Sequence, residues 1–139
     1  MTHFMLQMPS RNFPLVAAFA FVVIASCYEV DTCTTTSGER FRLACINSPE
    51  PRGKRAEPVP AKAARDHLRD LVVAKKVGIR RITEDHYERT VAELFVGETN
   101  VQREMVATGH AEVYQRQAHQ CHWTRKTSKR TGVISKMTT

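Results

Sequence analysis

Short runs of β-branched and aromatic residues, separated by polar breaks, dominate the hydrophobic pattern and predict β-strands. Ser37 and Gly38 form a turn signal between the first two runs, which predicts a hairpin. Asn47-Ser48-Pro49 ends the second run, because proline cannot donate to a strand ladder and restricts the residue before it. The predicted strands are Thr32–Thr36, Phe41–Ile46, Val77–Ile82 and Thr90–Val96.

Two segments with helical spacing of apolar residues interrupt the strands. The first helix is predicted over Pro60–Val73, where a proline suits the first turn. The second is predicted over Val101–Thr108, with Asn100 or Thr99 as its N-cap and Gly109 after its end. Antiparallel strands with helices between them indicate an α+β domain built around a small barrel.

The N-terminal apolar run Phe13–Ser26 is shorter than the roughly 20 residues that cross a bilayer. Its length is typical of a secretory signal, so residues 1–27 are predicted to be a signal peptide or anchor and the protein to be exported. The segment Ile24–Cys27 resembles the lipobox of bacterial lipoproteins. That resemblance implies a lipid on the cysteine and attachment to a membrane. In the alternative interpretation, Val22–Ser26 is the first buried strand.

Composition limits the class of protein and its partners. The chain has 139 residues, which is room for one domain, and its 42% hydrophobic and 25% charged residues are typical of globular proteins. The net charge of +7 favours polyanionic partners, with nucleic acid first and an anionic membrane second. We expect a monomer with a domain over residues 28–122 and a basic tail over residues 123–139.

Four motifs in order resemble those of the staphylococcal nuclease-like, or thermonuclease, family. Residues 42–50, RLACINSPE, resemble the family signature RLxxIDxPE. Asp31-Thr32 lies upstream, where the family has an Asp-Thr pair. Residues 85–89, DHYER, are similar to DxYGR, and residues 109–114, GHAEVY, are similar to G-x-A-x-V-Y. The resemblance covers about Asp31 to Cys121.

This resemblance implies a five-stranded OB-fold barrel with two to three helices, a fold that binds oligonucleotides. It also implies Ca²⁺-dependent hydrolysis of phosphodiester bonds in DNA or RNA, which leaves 3′-phosphates. A disulfide between Cys45 and Cys121 is implied as well. The implied site residues are Arg42, Glu50 and Arg89 for catalysis, Asp31, Asn47 and Ser48 for the metal, and Asp85, Tyr87 and Tyr114 for substrate binding.

These residue types suit the chemistry. Guanidinium groups neutralise an anionic phosphodiester and bind its oxygens bidentately. A hard cation such as Ca²⁺ takes oxygen ligands, here the Asp31 carboxylate and the Ser48 carbonyl. Glu50 matches the family glutamate that activates or positions the attacking water.

The sequence departs from the family pattern at two site positions. Asn47 stands where the family has its second metal carboxylate, which predicts weaker Ca²⁺ binding because affinity follows ligand charge. Glu88 stands where the family has glycine, which predicts strain if the turn needs a positive φ. A catalytically impaired module that binds nucleic acid or protein is therefore the alternative to a nuclease.

Each site residue also has a structural alternative. Asp31 could be merely a turn residue. Arg42 could be a solvated charge on a strand, and Glu50 could pair with Arg52. Arg89 could pair with Asp85 or Glu88.

Overall fold

The computed structural model describes residues 20–29 and 31–125. Within them, eight strands and two complete α-helices follow one another along the chain, and residues 122–125 are helical as well. The strands are β1 Ala20–Glu29, β2 Thr32–Thr35, β3 Arg40–Leu43, β4 Ile46–Asn47, β5 Lys76–Glu84, β6 Thr90–Val96, β7 Thr99–Asn100 and β8 Glu112–Val113. The helices are α1 Pro58–Val72 and α2 Val101–Ala107, followed by a 3₁₀ turn at Ala118–Gln120.

A closed barrel is formed by β1, β2, β3, β5 and β6. The strand order is β3-β2-β1-β5-β6-β7, and β3 also pairs in parallel with β6, which joins the two sides of the sheet. Because of this closure, β3 has β2 and β6 as hydrogen-bonded neighbours, and β6 has β5 and β3. The predicted α+β fold with a five-stranded barrel is therefore confirmed.

Helix α1 covers one end of the barrel with the face that its sequence pattern predicts. Ala64, Leu68 and Val72 are fully buried, whereas His67 is half-buried. Burying a side chain such as Leu68 stabilises the fold by roughly 1.5–3 kcal/mol. Leu68, and not its neighbour His67, therefore occupies the core position on this turn of the helix.

Helix α2 is fixed at its start by two polar side chains. The Asn100 side chain accepts a hydrogen bond from the backbone N–H of Arg103 at 3.0 Å, so asparagine is the N-cap. The buried Gln102 amide accepts from the N–H of Leu94 at 3.0 Å and donates to the carbonyl of Ala92 at 2.8 Å. These bonds tie α2 to β6 and satisfy polar groups that burial would otherwise penalise.

The structure extends the predicted domain at its N-terminal end. Strand β1 pairs with β5 over Ala20–Val23 and with β2 from Ile24 onward, and Ile24 is fully buried. The boundary predicted after Cys27 therefore falls inside a core strand, in agreement with the alternative of a buried first strand. The predicted leader also includes residues 1–19, which lie outside the described residues.

The predicted lipid attachment at Cys27 disagrees with the structure. The Cys27 sulfur forms a disulfide bond with Cys33 on the neighbouring strand. A sulfur in a disulfide bond is not a free thiol and cannot carry a lipid thioether. None of the helices in the described residues has the length and apolar character needed to cross a membrane.

The C-terminal boundary predicted after residue 122 is also too early. Trp123 is 6% exposed and packs in the hydrophobic core, and Thr124 donates its hydroxyl proton to the carbonyl of Ala118. The predicted basic tail therefore begins inside the domain. Residues 126–139 lie outside the described part of the chain.

The turn between β5 and β6 holds a residue in an unfavourable backbone conformation. Glu88 has φ of 62°, in the left-handed region that favours glycine. A residue with a Cβ atom pays about 1–2 kcal/mol there. The strain predicted from the replacement of the family glycine is present.

We predict that Glu88→Gly stabilises the protein by about 0.5–1 kcal/mol, because relief of left-handed strain exceeds the extra entropy of glycine in the unfolded chain. Denaturant unfolding of both proteins measures the difference. His86→Gly, in the same turn but without a positive φ, is the matched control and should not stabilise. Equal stability of Glu88→Gly and the unchanged protein would contradict the prediction.

Candidate active site

One polar cleft of about 520 Å³ gathers residues from both sides of the barrel closure. It lies where the end of β1, strands β3 and β4, the loop after β4 and the turn before β6 meet. Seven of the predicted site residues line it, although they come from distant parts of the chain. Its lining consists of Glu29, Asp31, Arg42, Asn47, Ser48, Pro49, Glu50, Pro51, Tyr87 and Arg89.

Arg42 lies on β3 between two core residues, so strand alternation turns its side chain outward into the cleft. Only 12% of that side chain is exposed. Its guanidinium donates to the carbonyl of Leu43, and its Nη1 lies 3.5 Å from Asp31 Oδ2. Its Nη2 lies 3.4 Å from Asn47 Oδ1. Arg42 is therefore a held charge within the cleft and not a solvated one.

Arg89, the second arginine, is held from two directions. Its Nε and Nη2 both lie 2.7 Å from Asp85 Oδ2, and its Nη1 donates to Thr32 Oγ1 at 2.8 Å. Among the described residues, the Glu88 side chain forms no hydrogen bond or ion pair with it. The sequence left Asp85 and Glu88 open as partners of Arg89, and the structure shows that the partner is Asp85.

Asp85 is a charged anchor behind Arg89 and does not line the cleft. Burial raises the pKa of its carboxyl, but the backbone N–H groups of Arg89 and Tyr87 and the Arg89 guanidinium outweigh that effect. The pKa of Asp85 is therefore held below its ordinary value. Asp85 thus orients Arg89, and the predicted contact of Asp85 with substrate stays a prediction.

Three residues that line the cleft carry the kinds of oxygen atom that a hard divalent cation takes as ligands. Asp31 supplies a carboxylate, Asn47 an amide oxygen and Ser48 a backbone carbonyl, which are all ligand types that Ca²⁺ takes. The buried Ser48 hydroxyl has no hydrogen-bond partner among the described residues. Its hydrogen-bonding capacity is therefore unsatisfied at this side of the cleft. No three histidine, cysteine or acidic side chains of the described residues group closely enough to hold a metal.

Glu50 has a carboxylate without a partner in the described part of the chain. Its backbone is fixed, because its carbonyl accepts from the N–H of Glu57 at 2.7 Å. The sequence offered Arg52 as a partner for Glu50. In the structure, Arg52 Nη2 instead lies 3.7 Å from Glu29 Oε2. Glu50 is exposed at the cleft and available to a water molecule or substrate.

Glu29 is a cleft residue that the sequence interpretation missed. It precedes Asp31 by two positions, and side chains two apart in an extended chain point to the same side. That spacing was the signal by which it could have been found. Its charge faces Arg52, which is exposed at the mouth of the cleft.

Tyr87 and Tyr114 were predicted together as substrate-binding residues, but only Tyr87 lines the cleft. The Tyr87 ring is 70% exposed, and the Arg89 guanidinium lies 5.4 Å from its centroid. Tyr114 is half-buried, and its backbone N–H donates to the carbonyl of Cys45 at 2.8 Å. The described structure thus gives Tyr114 a place beside β4 and outside the cleft.

A disulfide joins Cys45 to Cys121, the pair that the family resemblance implied. Cys45 has φ of 71°, and its backbone N–H donates to the Gln117 side chain at 3.1 Å. These contacts fix the chain immediately before β4, which carries Asn47. The second disulfide, Cys27–Cys33, was not predicted.

Two comparisons with known proteins bear on the family of the chain. The chain is 33% identical over 90 residues to a Haemophilus influenzae protein named "Uncharacterized endonuclease". The aligned region covers 63% of this chain and 48% of that relative, so the chain spans about half the length of the relative. The profile of the family described as "Staphylococcal nuclease homologue" matches residues 40–131. Because the match covers more than half of the chain, the protein belongs to the staphylococcal nuclease homologue family.

Proposed function

We propose that the protein is a metal-dependent nuclease that hydrolyses phosphodiester bonds of DNA, RNA or both, with Ca²⁺ as its cofactor. The observation that carries the proposal is the convergence on one cleft of Arg42, Arg89, Asp31 and Glu50, whose carboxylate has no partner among the described residues. Membership of the staphylococcal nuclease homologue family and the net charge of +7 support it.

The two arginines supply the charge that a phosphodiester needs. Their side chains are 12% and 19% exposed, so water screens them less than it would screen surface arginines. Each guanidinium is oriented by a carboxylate before a substrate arrives, which lowers the reorganisation needed as negative charge grows on the phosphate oxygens.

Glu50 is the candidate general base. Its carboxylate would take a proton from the water that attacks phosphorus, as the leaving oxygen departs. A positioned carboxylate of this kind contributes roughly 10²–10⁴-fold to a rate. The free side chain and fixed backbone of Glu50 suit that task.

Asp31, Asn47 and the Ser48 carbonyl are the residues proposed to hold the metal. When bound, Ca²⁺ supplies Lewis-acid polarisation of a phosphoryl oxygen and a template for the substrate. With one anionic ligand among the three, we expect an affinity toward the weak, extracellular end of the Ca²⁺ range, on the order of 10⁻⁴–10⁻³ M.

We also propose that the protein acts outside the reducing cytosol, in the envelope, the periplasm or the medium, and as a monomer. Its two disulfides support this compartment, because such bonds persist in oxidising environments. With Cys27 in a disulfide, this proposal does not include a lipid on that residue.

The alternative function is a module of the same fold that binds nucleic acid or protein without cleavage. Two observations favour it: the neutral Asn47 at the metal position and the strained Glu88 beside Arg89. Neither removes an arginine or Glu50, so the nuclease remains the proposal that the cleft supports best.

Cleavage of heat-denatured DNA by the full chain, with millimolar Ca²⁺ or with a chelator, tests the proposal. We expect cleavage that the chelator abolishes. The full chain is needed, because truncation before Cys27 would remove most of β1. Absence of cleavage by protein shown to be folded would favour the binding module.

We predict that Asn47→Asp lowers the Ca²⁺ concentration for half-maximal activity by about tenfold, because it adds an anionic ligand. A Ca²⁺ titration of activity in both proteins measures this. Gln115→Glu makes the same amide-to-carboxylate change at an exposed position away from the cleft and should leave the titration unchanged. Coincident titrations of Asn47→Asp and the unchanged protein would exclude Asn47 from the metal site.

We predict that Glu50→Gln lowers kcat by about 10²–10⁴-fold while thermal stability stays unchanged, because a base is lost and no described contact is broken. Steady-state kinetics and a melting curve together measure this. Glu57→Gln, a nearby exposed carboxylate outside the cleft, is the control and should keep activity. A folded Glu50→Gln protein with full activity would remove Glu50 from the mechanism.

A further inference from the structure

A second groove, of about 210 Å³, adjoins the cleft. It runs between the end of β1, the loop after Glu50 and the first turns of α1. We call it the Tyr28 groove. It is lined by Tyr28, Pro51, Pro58, Ala61, Lys62 and Arg65. Glu29 and Pro51 line both depressions, so the groove lies directly beside the cleft.

The walls of the Tyr28 groove are apolar and include an accessible aromatic ring. Tyr28, at the end of β1, is 62% exposed. Pro51 and Pro58 add rigid apolar surface, and Ala61 is 2% exposed. A flat ring beside rigid apolar groups is the kind of platform on which unpaired nucleobases stack.

The rim of the groove carries positive charge. Lys62 and Arg65 lie one turn apart on α1 and share one acid: Lys62 Nζ is 2.8 Å and Arg65 Nε is 3.7 Å from Asp66 carboxylate oxygens. Arg65 Nε has no hydrogen-bond partner among the described residues. The acid on the cleft side, Glu29, faces Arg52. The rim therefore retains a net positive charge that complements a phosphate.

We propose that the Tyr28 groove binds the nucleotide adjacent to the one whose phosphate occupies the cleft, with its base on the Tyr28 ring and its phosphate at Lys62 and Arg65. This inference rests on the proposed nuclease function and deepens it. The substrate it selects is single-stranded nucleic acid, since stacking on Tyr28 needs a base whose face is not covered by pairing.

Fluorescence anisotropy of a labelled oligothymidylate, measured in the presence of a chelator, tests binding in the groove. The oligonucleotide has about eight nucleotides, which is within the site size of one OB fold. The chelator prevents cleavage, so the measurement does not depend on activity. We expect Tyr28→Ala to weaken binding about tenfold and Tyr28→Phe to stay within about twofold, because the phenyl ring retains stacking. Binding of a duplex of the same length should not depend on Tyr28.

Phe21→Ala is the matched control. Phe21 is 63% exposed on the same strand but lies away from the groove, so its removal should leave oligonucleotide binding unchanged. Arg65→Gln should reduce the slope of log K against log salt by about 0.7, the value for one phosphate contact on a single strand. Arg103→Gln, an exposed arginine on α2, should not reduce the slope.

The outcomes separate the two proposals. Cleavage together with unchanged binding by Tyr28→Ala and an unchanged salt slope for Arg65→Gln would overturn the groove and leave the nuclease standing. Tyr28-dependent binding without cleavage would support the groove and overturn the nuclease. If Tyr28→Ala lowers the melting temperature, oligonucleotide binding by Tyr28→Phe and the salt slope of Arg65→Gln decide whether the groove binds nucleic acid. Equal losses with single-stranded and duplex oligonucleotides would overturn the stacking role.

Discussion

Backbone pairing between β3 and β6 closes the barrel, and the two halves of the cleft meet because of it. The strands run in parallel, with Phe41 opposite Thr90. Arg42 follows the first of these residues and Arg89 precedes the second, so the pairing places both arginines at one rim. Residues 47 positions apart become neighbours through hydrogen bonds that involve neither side chain. Any change that opened this edge would separate the arginines before it altered their chemistry.

Each arginine of the site is held by its own carboxylate, so that its positive charge is paired with a negative one. Arg42 lies beside Asp31, and Arg89 beside Asp85. A largely buried charge without a partner would cost several kcal/mol, so the acids permit the arginines to be there at all. Asp85 keeps its charge because backbone N–H groups and Arg89 offset its burial. The same contacts that make the charges tolerable also hold each guanidinium in one orientation.

The strand that carries Asn47 is only two residues long, and it depends on contacts from the C-terminal part of the domain. β4 pairs with β8, and the residue before β4 is bonded to Cys121 through its sulfur and to Gln117 through its backbone. Cys45 has a positive φ that a residue with a side chain does not favour. The disulfide and the neighbouring hydrogen bonds hold the strained segment, and with it the proposed metal ligands. The site thus combines a closed barrel on one side with a covalent anchor on the other.

The sequence by itself determined the local elements and the family. The strand over Thr90–Val96 and helix α1 follow from alternation and helical spacing, which neighbouring residues decide among themselves. The motifs identified seven residues of the cleft, because their types are constrained by chemistry. The sequence did not decide whether the apolar run ending at Cys27 was a leader or a strand, since both have the same local pattern. Only pairing of β1 with β5 and burial of Ile24 distinguish them.

Tertiary structure also decided which candidates share one site. It placed Glu29 in the cleft, kept Tyr114 outside it, moved Asp85 behind Arg89 and buried Trp123 in the core. Each of these outcomes depends on contacts between residues far apart in the chain. Local pattern carries little information about such contacts, because burial and partner choice are settled only when the barrel closes.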